Sequence, residues 1–274
     1  MTYKLIALDI DGTIRSLNGP ISNRTRRIVE QVSNCGAIVT ICTGRMFKSA
    51  LMTADELNIT APIVSFQGAY VADPQSHQEL MHRPLTEEMA LSALSELSDW
   101  NSEILAYQGD RVFFNRHTQW VQEYIERNRG LLQESSQIIE DLSELASVGL
   151  TRIAFVGDDD EVKNYERHLR QVLGSQLYIA RTLPHLCEVL HPDTGKQRGL
   201  AWLADYLGVR QAETAAFGNG DEDASMLKWA GLGVAVKGAT QTAIDNADLI
   251  AGPMEEDGVA QVLEELANEG ILGG

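Results

Sequence analysis

The sequence predicts an α/β protein: a doubly wound parallel sheet into which a separate α+β module has been inserted. Three observations carry this expectation. Short apolar runs rich in β-branched residues alternate with helical patterns at both ends of the chain, as in strands buried on both faces of a parallel sheet. The first of these runs, Leu5-Ile6-Ala7-Leu8, stops abruptly in Asp9-Ile10-Asp11-Gly12-Thr13. The middle of the chain breaks the alternation with shorter, more polar strands.

Taken in order, the first strand is followed by a polar turn over 16–20. Then comes a helix that Ser22 or Asn23 can cap, with Ile28 and Val32 on one face. Residues 37–42 read as a second buried strand, ending in Thr43-Gly44-Arg45, and a second helix runs to about Leu57. Residues 62–66 form a third strand, and 67–73 a turn with a short antiparallel excursion. Strand–helix–strand–helix–strand means parallel pairing with right-handed crossovers. From 83 to 189 the pattern changes. Strands at 103–107 and 111–114 flank a hairpin turn at 108–110, among helices at 86–97, 118–129 and 161–173. The alternation then resumes: helix 196–207, strand 214–217, helix 223–229, strand 232–236, helix 240–246, strand 248–251 and helix 258–267. The expected division is a core of 1–82 with 190–274, and an insert of 83–189. The ends of the first and second strands and the loop after Phe217 then share the carboxyl edge of the sheet, where open α/β sheets place ligands.

With 274 residues, 44% of them hydrophobic, the chain can bury a substantial core. A net charge of −17 argues against nucleic-acid partners and anionic membrane surfaces, which call for a basic footprint. It leaves room for an anionic small molecule, because a cation or a lysine reverses the sign inside a pocket. Cys35, Cys42 and Cys187 show no metal-ligand spacing and read as small buried hydrophobes. With no signal-peptide pattern at the start and no bilayer-length apolar run, the expected location is the cytoplasm. Self-association is left open.

Two close carboxylates repel when both are ionised, so a site holding Asp9 and Asp11 together calls for a cation or for different protonation states. That suits a carboxylate nucleophile, an acid/base and a hard divalent ion. The same residues also fit a plain turn. Thr43-Gly44-Arg45 offers a hydroxyl and backbone amides to an anion, or is an ordinary strand-to-helix turn capped by Thr43. Lys196 at a helix start suits a phosphate or a crowded carboxylate, or is simply solvated. Gly218-Asn219-Gly220-Asp221-Glu222-Asp223 can bring oxygen ligands to a cation, or cap the following helix.

Together, in this order and on these elements, the four stretches resemble the haloacid dehalogenase superfamily of phosphatases, closest to its Cof-type branch of sugar-phosphate and related phosphatases. The resemblance covers nearly the whole chain. It implies a Rossmann-like core with an α/β cap that closes over the site and selects the leaving group. It implies Asp9 as nucleophile, Asp11 as acid/base, and Thr43 and Lys196 as holders of the transferring phosphoryl group. Gly12, Thr13, Gly44, Arg45, Gln67 and Gly68 would then contact substrate, and magnesium would be held by Asp9, the Asp11 main-chain carbonyl, Asn219 and Asp223. The implied partner is a small phosphate ester. Some positions depart from the family pattern: Asn219 replaces an aspartate, Glu222 and Gln67 replace asparagines, and Gln197 replaces a glycine. Asp223 then serves either as a ligand or as the partner of Lys196. Two other functions stay open, a phosphomutase and a non-catalytic phosphate binder with a weakened metal site. Within the insert, Tyr107, Phe113, Phe114, Trp120 and Tyr124 read as pocket lining or as core. Arg152 and Arg181 read as anion contacts or as surface arginines.

Overall fold

Strand β1 (Leu5–Leu8) has all four residues buried, which explains its unbroken apolar sequence. The protein, seen in a computed structural model, is described over residues 2–16, 19–127, 129–132 and 134–273. Leu17 and Asn18 of the expected turn, and Asn128 of an expected helix, lie outside the described residues. Helix α1 (Asn23–Asn34) is capped by Ser22, whose hydroxyl accepts from the Thr25 amide, and it buries Ile28, Val29 and Val32. Strand β2 (Ile38–Ile41) is followed by helix α2 (Phe47–Glu56). That helix starts two residues beyond Arg45. Its cap is Met46, which makes no side-chain cap bond, so Thr43 is not a helix cap.

The third strand departs from expectation. Strand β3 (Ile63–Ser65) pairs antiparallel with β4 (Tyr70–Ala72), in a three-stranded sheet completed by β5 (Glu79–His82). On the β2 side it makes one parallel bridge, Cys42 to Val64, with the Thr43 amide donating to the Val64 carbonyl at 2.9 Å. Pro62 has no N–H to give a ladder. Its carbonyl is instead taken by the Thr40 hydroxyl at 2.6 Å.

The described chain divides into two compact units, Met1–Met81 with Gly195–Gly274, and His82–Thr194. The second unit thus begins one residue before and ends five residues beyond the expected insert. In it helix α3 (Glu87–Glu96), capped by Thr86, precedes β6 (Ile104–Gln108) and β7 (Arg111–Phe114). The Gly109-Asp110 loop makes these two strands a tight hairpin, with Gly109 at φ +53°. Then follow α4 (Gln119–Arg127), α5 (Arg129–Leu132), β8 (Ser136–Ile138), β9 (Arg152–Val156), α6 (Asp159–Leu173), β10 (Tyr178–Leu183) and β11 (Leu186–Leu190). The strands form one sheet in the order β10-β11-β9-β6-β7-β8. Leu94, Trp100, Phe113, Ile153 and Phe155 belong to its core. Arg152 is not a surface arginine: it is buried in an ion pair with the buried Glu188, 4.1 Å over the Tyr107 ring. Arg181 is exposed and paired with Glu166. Tyr107, Phe113 and Phe114 are buried core. Trp120 and Tyr124 are half-buried and stacked on each other.

The chain returns to the first unit with α7 (Lys196–Tyr206), β12 (Thr214–Gly218), α8 (Ala224–Trp229), β13 (Leu232–Lys237), α9 (Gln241–Asp245), β14 (Leu249–Pro253) and α10 (Gly258–Asn268). Its main sheet is parallel throughout, in the order β14-β13-β12-β1-β2. Ile6 and Leu8 join the core with α1, α2 and α10, whereas Leu5 and Ala7 join the core with α7, α8 and α9. That alternation along β1 is the doubly wound arrangement. β1 lies between β2 and β12, so its carboxyl end sits at the topological switch point. Among the described residues no helix is long and apolar enough to cross a membrane.

Candidate active site

The end of β1 turns sharply because three successive amides, those of Thr13, Ile14 and Arg15, converge on the Ile10 carbonyl. Gly12 sits at φ +81°, a conformation that a side chain would strain. A Cβ there would also lie 2.4 Å from the Asn219 amide, so glycine lets the β1 and β12 loops approach. The result places Asp9, 5% exposed, against three other elements.

Lys196, the first residue of α7, is 1% exposed. Its ammonium donates to Asp9 Oδ1 at 2.7 Å and to Asp223 Oδ1 at 2.6 Å. Burial works against its charge, but Asp223, Asp9 and Glu222 outweigh burial and raise its pKa well above the ordinary lysine value. Asp9 responds the other way. Burial, and then the charge on Asp223, push its carboxyl up to about 7, against the pull of Lys196. One lysine between two buried carboxylates leaves a surplus negative charge.

Asp223 performs the second of its two expected roles. Its Oδ1 holds Lys196, and its Oδ2 accepts from the Asn219 and Gly220 amides at 2.9 Å each. Both oxygens thus accept hydrogen bonds, one from the lysine and the other from the loop. Glu222 is half-buried and lies across Gly220, where a Cβ would meet its carboxylate at 2.5 Å.

Asp11 is held by Arg45 through two bonds, Nε to Oδ2 at 2.6 Å and Nη2 to Oδ1 at 2.5 Å. Sequence reasoning treated Arg45 as a substrate contact and missed this pairing. The available signal was that the two residues follow adjacent parallel strands. Thr43 is 2% exposed, and its hydroxyl accepts from the Arg45 amide at 3.3 Å, which leaves its proton to give. The Thr43–Arg45 turn is zipped to the loop after β3, Gln67 N to Thr43 O at 3.1 Å and Phe66 N to Arg45 O at 2.9 Å. Those bonds hold Phe66 and Gln67 at φ +49° and +54°, ahead of Gly68 at +87°. The Gln67 amide packs over Gly44, where a Cβ would meet it at 2.3 Å. Gly68 packs on the Gly195 carbonyl, where a Cβ would meet it at 2.2 Å.

An open parallel sheet with a buried, lysine-braced aspartate at its switch point is the arrangement of an α/β enzyme that keeps its site at the carboxyl edge of the sheet. Residues 6–263 match the family of haloacid dehalogenase-like hydrolases, and the chain belongs to that family. It is 30% identical, over 95% of its length and 96% of the relative's, to the 5-amino-6-(5-phospho-D-ribitylamino)uracil phosphatase YitU of Bacillus subtilis. A haloacid dehalogenase-like hydrolase from Bacteroides thetaiotaomicron superposes with a TM-score of 0.84 at 26% identity, covering 96% of this chain and 99% of that one. TM0651 from Thermotoga maritima shares the fold, with a TM-score of 0.82 at 23% identity over 96% and 97% of the two chains.

Proposed function

We propose that the chain is a cytoplasmic, magnesium-dependent phosphomonoester hydrolase for small phosphorylated metabolites, sugar phosphates or similar esters, working through an aspartyl phosphate on Asp9. The supporting observation is the Asp9–Lys196–Asp223 arrangement, since a buried ammonium beside a carboxylate nucleophile serves no ordinary turn. In this reading Asp9 attacks phosphorus and the ester P–O bond breaks. Asp11 gives the leaving alkoxide its proton. Asp11 then takes a proton from the water that cleaves the aspartyl phosphate, and inorganic phosphate leaves. Lys196 and the Thr43 hydroxyl offset charge on the transferring oxygens. Arg45 orients Asp11. The inserted unit is assigned the choice of leaving group.

Among the described residues no cluster of three His, Cys, Asp or Glu side chains is placed to hold a metal. The set that fits a hard cation is all oxygen: Asp9 Oδ2, the Asp11 main-chain carbonyl and the Asn219 amide oxygen. Magnesium bound there would reduce the repulsion between the aspartate and an anionic phosphate.

The test is phosphate release from a panel of small phosphate esters, with and without magnesium. The panel includes the ester for which the Bacillus subtilis relative is named. Release that needs magnesium supports the reading. Recovery of an isomeric phosphate instead of free phosphate would favour a mutase, and binding without turnover a phosphate-binding protein. Arg45→Ala, which frees the Asp11 carboxylate, is expected to lower turnover at saturating substrate roughly ten- to hundredfold. The same assay reads it.

A further inference from the structure

We propose that Asn219 is a latch on the cation position: its amide nitrogen closes the oxygen set in the metal-free protein, and a divalent cation enters only when the amide turns its oxygen inward. This rests on the magnesium-dependent reading above.

Thr13 has a single hydroxyl proton, and its oxygen lies 3.0 Å from both Asp9 Oδ2 and the Asn219 side chain. It cannot donate to both. With the amide nitrogen facing inward every group is satisfied. Thr13 donates to Asp9, and the two amide hydrogens of Asn219 go to the Thr13 hydroxyl and the Asp11 carbonyl, each at 3.0 Å, with Asp9 Oδ2 at 3.3 Å as a weaker, shared acceptor. We assign that orientation from the hydrogen-bond network. Two of the three oxygens it caps are those that would face the cation. The nitrogen therefore stands in for the metal, and the two states exclude each other.

An aspartate at 219 has no such closed state. It has no hydrogen to give, and beside Asp9 it adds repulsion until a cation arrives. Asparagine gains two hydrogen bonds without a cation, must release them to bind one, and then offers a dipole rather than a charge. The latch makes the site weak for magnesium and stable without it. Occupancy would then follow the free magnesium concentration instead of staying saturated.

The experiment is calorimetric titration of metal-stripped wild type and Asn219→Asp with magnesium chloride alone at pH 8, alongside melting curves. The variant is expected to bind roughly tenfold tighter or more. Without metal it should melt below wild type, and with magnesium it should gain more than wild type gains. Equal affinities, no binding by either protein, or a metal-free variant as stable as wild type would overturn the latch. If the variant fails to fold, the wild-type Asn219 side-chain amide is followed by NMR. It should resist solvent exchange without metal, and shift and lose that protection as magnesium is added. Free exchange in the metal-free protein overturns the proposal. Binding as expected with no ester hydrolysed would sink the hydrolase reading and leave the latch standing.

Discussion

Asp9→Asn is expected to release no phosphate from any ester while melting at a higher temperature than the wild type in metal-free buffer. The activity loss follows from removing the proposed nucleophile, and should be at least about 10⁴-fold. The stability gain follows from the surplus charge. Asp9 and Asp223 share one lysine, and all three are at most 5% exposed. The substitution keeps the shape, keeps an oxygen for Lys196, and leaves a balanced pair. The Asn219 amide can turn to accept from the new side chain, at the expense of its bond to the Asp11 carbonyl, which trims the gain. A gain of about 1–2 kcal/mol is expected near pH 8, less than the full cost of an unpaired buried charge because Lys196 already offsets part of it. For a chain of this size that is a rise of about 2–8 °C.

The same substitution should change the pH dependence in a definite direction. In the unfolded chain Asp9 loses its proton near 3.8, whereas in the folded protein it keeps it to about 7. Between those values the folded state binds more protons, so stability from this group falls as pH rises. Wild type should therefore lose stability relative to the variant from about pH 4 to about pH 7, and the gap should be clearly smaller at pH 5 than at pH 8, where it is full. Scanning calorimetry of both proteins at those two pH values checks it. A variant less stable than wild type at pH 8 would mean that Lys196 holds Asp9 ionised at a net profit in stability.

How far the sequence reached depends on where charge was buried. β1, β2 and β12 were legible because strands covered on both faces must be continuously apolar, and Asp9, Thr43 and Asn219 then fall at one sheet edge by topology alone. Lys196 was legible only through the family resemblance, since nothing local separates a buried lysine from a solvated one. β9 and β11 escaped because Arg152 and Glu188 look like surface residues until each supplies the other's charge. The departure of β3 from the main sheet was not legible, although Pro62, which has no N–H to give a ladder, immediately precedes it. The left-handed Phe66 and Gln67 escaped for a related reason. Their strain is held by bonds to Thr43 and Arg45, some twenty residues away in sequence, and no local propensity encodes it. The Asp11–Arg45 pair shows the same limit: the residue types were singled out, but their contact is a property of adjacent parallel strands.

Lys196→Ala should be the most damaging single change to folding in the site. It leaves Asp9 and Asp223 facing each other without their shared counter-ion, and the usual cost of breaking a buried pair in this way is about 3–5 kcal/mol. Asp223 raises the stakes, because its other oxygen holds the Asn219 and Gly220 amides and so the shape of the loop. Two features separate this cause from the loss of a buried side chain. First, lowering the pH should recover stability, because protonating one carboxylate removes the repulsion, and a simple cavity has no such dependence. Second, adding Asp9→Asn should recover part of the loss, since only one carboxylate then lacks a partner. The double-mutant cycle should give a coupling of about 1–3 kcal/mol between the two positions. Chemical denaturation of the four proteins at pH 5 and pH 8 measures both. Additive losses that ignore pH would show that Lys196 is held by its packing in α7, and would remove the counter-ion role on which the nucleophile assignment leans.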